Sequence, residues 1–78
     1  MRHVVLYSRP GCHLCDVARE AIERVRGALP FAFDEVSIEG DDRLELDYGI
    51  RIPVVTVDGE ERFEIEVDEA ELAELVRS

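Results

Sequence analysis

The fold of this chain is decided by the stretch Ser8-Arg9-Pro10-Gly11-Cys12-His13-Leu14-Cys15. An apolar run over residues 3–7 precedes it, and a run with helical spacing, residues 16–26, follows it. A proline followed by a glycine is typical of a turn, so the sequence predicts a strand, a turn and then a helix. Cys12 falls in the first turn of that helix, and Cys15 lies one turn later on the same face.

The position of the two cysteines predicts a reactive thiol. The start of a helix presents unpaired backbone N–H groups and the positive end of the helix dipole. We therefore expect the pKa of Cys12 to lie below that of a free thiol, at about 7 or lower. Cys15 is near enough to displace whatever Cys12 has bonded and to close a small disulfide. The alternative interpretation is a pair of incidental or buried cysteines.

Length and charge narrow the possible functions. The 78 residues predict one domain, residues 1–78, and the formal net charge is −10. This charge disfavours nucleic acid and anionic membrane surfaces as partners. The simplest interpretation of the negative charge is that it keeps the protein soluble. The alternative is that it steers the protein toward a basic partner.

The chain shows no sign of export. No apolar run reaches the roughly 18 residues that would span a membrane, and Met1-Arg2-His3-Val4 leads straight into a strand without a signal peptide. We therefore expect a cytoplasmic protein. Thiols are kept reduced there, so the cysteine pair is expected to be catalytic or metal-binding rather than a structural link.

The remaining sequence predicts one sheet of about four strands with helices on both faces, in the order β-α-β-α-β-β-α. The apolar stripe of the first helix includes Leu14 and Val17. Alternation over 62–67 puts Phe63, Ile65 and Val67 on one strand face. The predicted elements are strands at 3–7 and 31–38, helices at 13–26 and from Asp41 or Asp42 to about Tyr48, strands ending at Val57 and over 62–67, and a last helix over 69–77.

Three segments resemble the glutaredoxins. Tyr7 to Cys15 is similar to their active-site stretch, Ile52-Pro53-Val54 to the cis-proline segment of the thioredoxin fold, and Asp58-Gly59 to the turn between the last two strands. The resemblance spans residues 3–77 and is strongest to small bacterial CxxC glutaredoxin-like proteins. It implies an α/β, thioredoxin/glutaredoxin-like fold with a mixed sheet and a central first strand. It also implies that Pro53 is cis and faces Cys12.

The resemblance implies only half of a glutathione site. Ile52 would offer its backbone to a peptide or to glutathione, and Arg9 and Arg51 stand where the family often places cations. The family's Gly-Gly pair and acidic residue correspond here to the region of residues 65–68, where the glycines are absent and only Asp68-Glu69 could match the acidic end. We expect no bound cofactor, with glutathione or another small thiol as a possible co-substrate.

Two further residues are candidates for tuning the site. His13 would act on Cys12 through its charge or a hydrogen bond, or else be a simple exposed loop residue. Tyr7 would close one side of the pocket, or else be a core residue with its hydroxyl at the rim.

A metal centre is the less favoured interpretation. Structural zinc needs four protein ligands, and the chain has two cysteines and two histidines. His13 is expected to point away from the thiols, and His3 is at the far end of its strand. We expect no metal ligand set in one chain, which leaves open a site or iron–sulfur cluster shared between protomers.

The sequence thus predicts a monomeric thiol–disulfide oxidoreductase with a Cys12/Cys15 dithiol mechanism. Its partners would be a disulfide-containing protein or small thiol, together with a reductase or thiol as electron donor. One alternative is a redox module dedicated to a single partner protein, with little general reductase activity. Another is a metal or iron–sulfur carrier.

Overall fold

A computed structural model describes residues 1–77. It confirms the predicted order of the seven elements. None of the helices within those residues is long and apolar enough to cross a membrane. The elements are β1 (His3–Ser8), α1 (His13–Arg26), β2 (Ala32–Ser37), α2 (Asp42–Tyr48), β3 (Val54–Val57), β4 (Glu60–Glu64) and α3 (Glu69–Arg77).

The four strands form one mixed sheet in the order β2-β1-β3-β4. β1 runs parallel to β2, with Val4 opposite Phe33, and antiparallel to β3, with Leu6 opposite Val55. The central position predicted for the first strand is therefore confirmed. Because β1 lies between two strands, the turn that follows it lies near the middle of the sheet, at the end where β1 stops.

The main core lies on the face of the sheet covered by α1 and α3. Val4 and Leu6 of β1 pack there in one apolar cluster with Ile22 of α1 and Leu72 of α3. The other face is covered by the short helix α2. The ring of Tyr48 stacks on that of Tyr7, with 4.6 Å between the ring centroids.

Local signals fixed the short helix and the hairpin as predicted. Asp41 caps α2 by accepting a hydrogen bond from the backbone N–H of Leu44, and Gly49 ends the helix. Asp58 and Gly59 both have positive φ, 52° and 87°, which is the conformation of a type I′ hairpin turn.

The predicted fourth strand is wrong in its extent. It runs over Glu60–Glu64 instead of 62–67, because the backbone bends at Ile65, where φ is +70°. Phe63 and Val67 both pack against the main core, whereas Ile65 lies outside it and is 40% exposed, so the predicted shared face is wrong only for Ile65. A β-branched residue in this region of φ is rare and costs of the order of 1–3 kcal/mol.

The apolar stripe of α1 is narrower than the sequence suggested. Its buried residues are Cys15, Ala18, Ala21, Ile22 and Val25. Leu14 and Val17 are each nearly half exposed. They lie at the edge of the buried face, at the end of the helix next to the cysteines.

Candidate functional site

Cys12 is the N-cap residue of α1. Its backbone is extended, with φ −89° and ψ 109°, and its Sγ accepts a hydrogen bond from the backbone N–H of Cys15 at 3.2 Å. Gly11, with φ +79°, makes the sharp turn that delivers the chain to this position. The helix terminus therefore already donates to the first sulfur, which is the interaction that stabilises a thiolate.

The two cysteines form a disulfide and differ in their access to solvent. Their Cα atoms are 5.2 Å apart. Cys15 is fully buried, whereas Cys12 is partly exposed. An external thiol or disulfide can therefore reach Cys12, while Cys15 is reached only by Cys12.

The Ile52–Pro53 peptide bond is cis. Pro53 is buried, and Ile52 is half-buried beside it. The carbonyl oxygen of Pro53 accepts a hydrogen bond from the backbone N–H of Ile65 at 2.8 Å. This bond joins the proline segment to the bend at Ile65, directly after β4.

Arg51 is held by its neighbours. Its guanidinium donates to the carboxylates of Glu61 and Glu64, at 2.7 and 3.1 Å, and to the carbonyl of Asp47. It also lies over the ring of Tyr48 at 5.4 Å. The hydrogen bonds to Glu61 and Glu64 raise the pKa of Arg51. A ligand carboxylate would have to displace those two residues to bind this arginine.

The other predicted site residues occupy separate positions. The side chain of Arg9 is exposed, and none of the other residues in 1–77 forms an ion pair with it. His13 is exposed at the first position of α1. Asp68 accepts a hydrogen bond from the backbone N–H of Glu71 at 3.1 Å and so caps α3. Tyr7 is half-buried against Tyr48.

Sequence reasoning missed a polar network behind the turn that leads into α1. The hydroxyl of Ser8, which is buried at the end of β1, donates to Glu35 on β2 at 2.7 Å. Arg19 of α1 donates to Glu35 through Nε at 2.6 Å and to Asp16 at 2.8 Å. Only the Asp16–Arg19 spacing of three residues is visible in the sequence, because Glu35 meets Arg19 through the fold. The network ties the first turns of α1 to two strands.

The Arg19 contact makes this network sensitive to acid. The hydrogen bond from Arg19 lowers the pKa of Glu35 below its ordinary value of 4.5. Partial burial acts in the opposite direction, and the hydrogen bond from Ser8 lowers the pKa further. A lowered pKa adds stability that is present above the unfolded value and is lost as the pH falls through the folded value. Wild type should therefore exceed Glu35→Gln in free energy of unfolding by up to about 1 kcal/mol at neutral pH.

Urea unfolding of both proteins between about pH 7 and pH 2 measures this difference, which should shrink toward zero below the ordinary carboxyl pKa. Glu39→Gln is a matched control, because Glu39 is exposed and outside the network. An advantage over Glu35→Gln that stays constant across this range would show that the charge of Glu35 is not its source.

Residues 1–77 contain no group of three or more His, Cys, Asp or Glu side chains arranged to hold a metal ion. The two sulfurs are bonded to each other.

Comparison with known proteins agrees with this geometry. Residues 3–77 match the Glutaredoxin-like domain family (DUF836). An uncharacterized protein of Mycobacterium tuberculosis is 33% identical over 81 residues, which cover 96% of this chain and 84% of that protein.

Among solved structures, protein XcR50 of X. campestris is 37% identical, with a TM-score of 0.77 and 95% of each chain covered. Protein Ne2328 of Nitrosomonas europaea is 25% identical, with a TM-score of 0.84, covering 96% of this chain and 91% of its own. A mutant thioredoxin of Halobacterium salinarum shares the fold at 21% identity, with a TM-score of 0.69 over 97% of this chain and 72% of that one. The chain therefore belongs to the Glutaredoxin-like domain family (DUF836) and has the thioredoxin fold, with a CxxC cysteine pair at the start of its first helix.

Proposed function

We propose that this protein is a thiol–disulfide oxidoreductase that uses Cys12 and Cys15 in a dithiol mechanism on protein or low-molecular-weight disulfides. The observation that carries the proposal is the asymmetry of the pair. Cys12 is partly exposed and sits at a helix N-terminus, whereas its partner Cys15 is buried. The proposal includes a cytoplasmic, monomeric protein that is reduced by a small thiol or a reductase.

Reduction of a substrate takes two displacements. The thiolate of Cys12 attacks one sulfur of the substrate disulfide, forming a mixed disulfide and releasing the other sulfur as a thiolate, which takes up a proton. Cys15 then loses its proton and attacks the sulfur of Cys12, and the second substrate sulfur leaves. The substrate gains two electrons, and the Cys12–Cys15 disulfide forms. An external dithiol, two thiols or a reductase returns the two electrons.

The helix terminus raises the fraction of Cys12 that is present as the thiolate. In the structure the backbone N–H of Cys15 donates to Sγ of Cys12 at 3.2 Å. A hydrogen bond to the charged form, together with the positive end of α1, favours the thiolate over the thiol. More of the nucleophilic form is then present at neutral pH.

A second candidate is a module dedicated to one partner protein. Two observations favour it: Arg51 is engaged with Glu61 and Glu64, and the glycine pair of glutathione-binding relatives is replaced from Ile65 onward. Both leave fewer groups free to hold glutathione. Such a module would exchange disulfides with its partner and react slowly with small mixed disulfides.

The pH dependence of Cys12 alkylation tests the proposed chemistry. In the reduced protein, the rate constant for iodoacetamide should rise with a midpoint at about pH 7 or lower, because the thiolate is the reacting form. The same protein should reduce hydroxyethyl disulfide at neutral pH. A midpoint at the ordinary thiol value of about 8.5, with no reduction of any disulfide, would contradict the proposal. Alkylation at low pH with reduction of proteins only would favour the dedicated module.

A further inference from the structure

A groove of about 550 Å³ lies between α1 and the segment that follows β4. We call it the α1–β4 groove. Leu14 lies between the two cysteines in the sequence, and the backbone N–H of Ile65 donates to the carbonyl of Pro53, so each wall of the groove includes a neighbour of the cysteine pair or of the proline segment. It is lined by Leu14, Val17, Ala18 and Ala21 from α1 and by residues 62–68 and Glu71 from the other side.

Three large apolar side chains of this groove are exposed. The accessible fractions are 46% for Leu14, 47% for Val17 and 40% for Ile65. Single exposed apolar residues are ordinary, but a cluster that lines a groove is typical of a binding surface. Covering the three side chains would remove apolar area from water and so favour association with an apolar partner.

Ile65 combines this exposure with a strained backbone. Its φ of +70° suits glycine, and the side chain it adds is neither buried nor part of the core cluster. The side chain therefore lies outside the core, and 40% of its surface is available for an external contact. Contact with a bound partner would bury the part of this side chain that the fold leaves exposed.

The wall of the groove carries unpaired negative charge. Within residues 1–77, no basic side chain forms an ion pair with Glu66, Asp68 or Glu71. By contrast, Glu64 is paired with Arg51, and Arg62 with Glu60. Charge complementarity therefore selects a basic occupant and disfavours one rich in carboxylates, such as glutathione.

We infer that the α1–β4 groove docks a basic, apolar segment next to the disulfide of a protein substrate. This inference rests on the proposed function and names its substrate class. An apolar side chain of the segment contacts Leu14, Val17 and Ile65, and a neighbouring lysine or arginine faces Glu66 and Glu71. Docking holds the substrate sulfur near Cys12 for the first displacement.

Peptide mixed disulfides of one length and one leaving group test the inference. The cysteine is flanked by Lys and Leu, by Glu and Leu, or by Lys and Gly, and hydroxyethyl disulfide is the small reference. The second-order rate constant of the reduced full-length protein is measured by stopped flow, so no electron donor is needed. The Lys/Leu peptide should react about tenfold faster than either other peptide at low salt. Its lead over the Glu/Leu peptide, which differs in charge, should shrink as salt is added.

Variants assign the preference to the groove. Ile65→Gly removes the side chain and relieves the strain, so folding is kept. It should lower the Lys/Leu rate relative to hydroxyethyl disulfide by about fivefold to tenfold. Glu66→Gln combined with Glu71→Gln should abolish the preference for Lys/Leu over Glu/Leu. Leu46→Ala and Glu39→Gln are matched controls at exposed positions outside the groove. In both controls, the Lys/Leu rate should keep its wild-type ratio to the hydroxyethyl disulfide rate and to the Glu/Leu rate.

The outcomes separate the two proposals. If hydroxyethyl disulfide and all peptides fail to react, the proposed function is wrong. If the small disulfide reacts but the three peptides react equally, or if the groove variants behave like the controls, the function stands and the docking inference is wrong.

Discussion

Replacing Cys12 with serine is expected to lower the rate of disulfide reduction by more than about a thousandfold. A serine hydroxyl is not ionised at neutral pH and does not displace sulfur from a disulfide. Cys15 cannot take over, because its side chain is fully buried. The measurement is the second-order rate constant for hydroxyethyl disulfide with each protein fully reduced beforehand.

Cys15→Ser provides the contrast, because it removes only the second displacement. Cys12 still attacks, so the mixed disulfide should accumulate, and intact mass spectrometry should show one substrate half attached to Cys12. The same variant, exposed to a cell extract, should retain substrate proteins as reducible adducts, which Cys12→Ser should not. Circular dichroism checks that both variants are folded. Adducts on Cys15 in Cys12→Ser, with none in Cys15→Ser, would reverse the two roles and contradict the mechanism.

Much of the fold could be predicted because its signals are local. An aspartate followed by a seven-residue helix and a glycine identified α2, since Asp41 and Gly49 act on the backbone within one turn. Asp58-Gly59 identified the hairpin for the same reason. The cysteine spacing placed Cys12 at the start of α1, and the structure refines this to the N-cap itself.

The errors concern properties that spacing does not encode. Apolar and polar residues do alternate along 62–67, but this alternation carries no information on the sign of φ. Ile65 has a positive φ, and the strand ends before it. Likewise, the apolar spacing along α1 predicts which face of the helix carries Leu14 and Val17. It does not predict whether another element covers that face. The Glu35–Arg19 contact and the engagement of Arg51 by Glu61 join residues that are distant in sequence. Such pairs follow from how the helix and the loop pack against the strands, which a single sequence does not give.

The stability of α1 on the sheet controls the site, because α1 holds the N-cap at Cys12. Ile22 is fully buried in the main core, in one cluster with Leu6, Val55 and Leu72. Ile22→Ala should therefore lower the free energy of unfolding by about 2–5 kcal/mol, from lost burial and the cavity that remains. This is a large part of the total, since a domain of this length has roughly 4–12 kcal/mol of stability.

Ile50→Ala is the matched control, because it removes the same atoms from a side chain that is 97% exposed. Its effect should stay within about 0.5 kcal/mol. Urea unfolding of the oxidised proteins measures both, and the midpoint should fall for Ile22→Ala alone. Disulfide reduction by the Ile22 variant should decline with the folded fraction, because a frayed α1 no longer donates its terminal N–H groups to Cys12. Equal losses of stability at the two positions would mean that α1 is not anchored through Ile22.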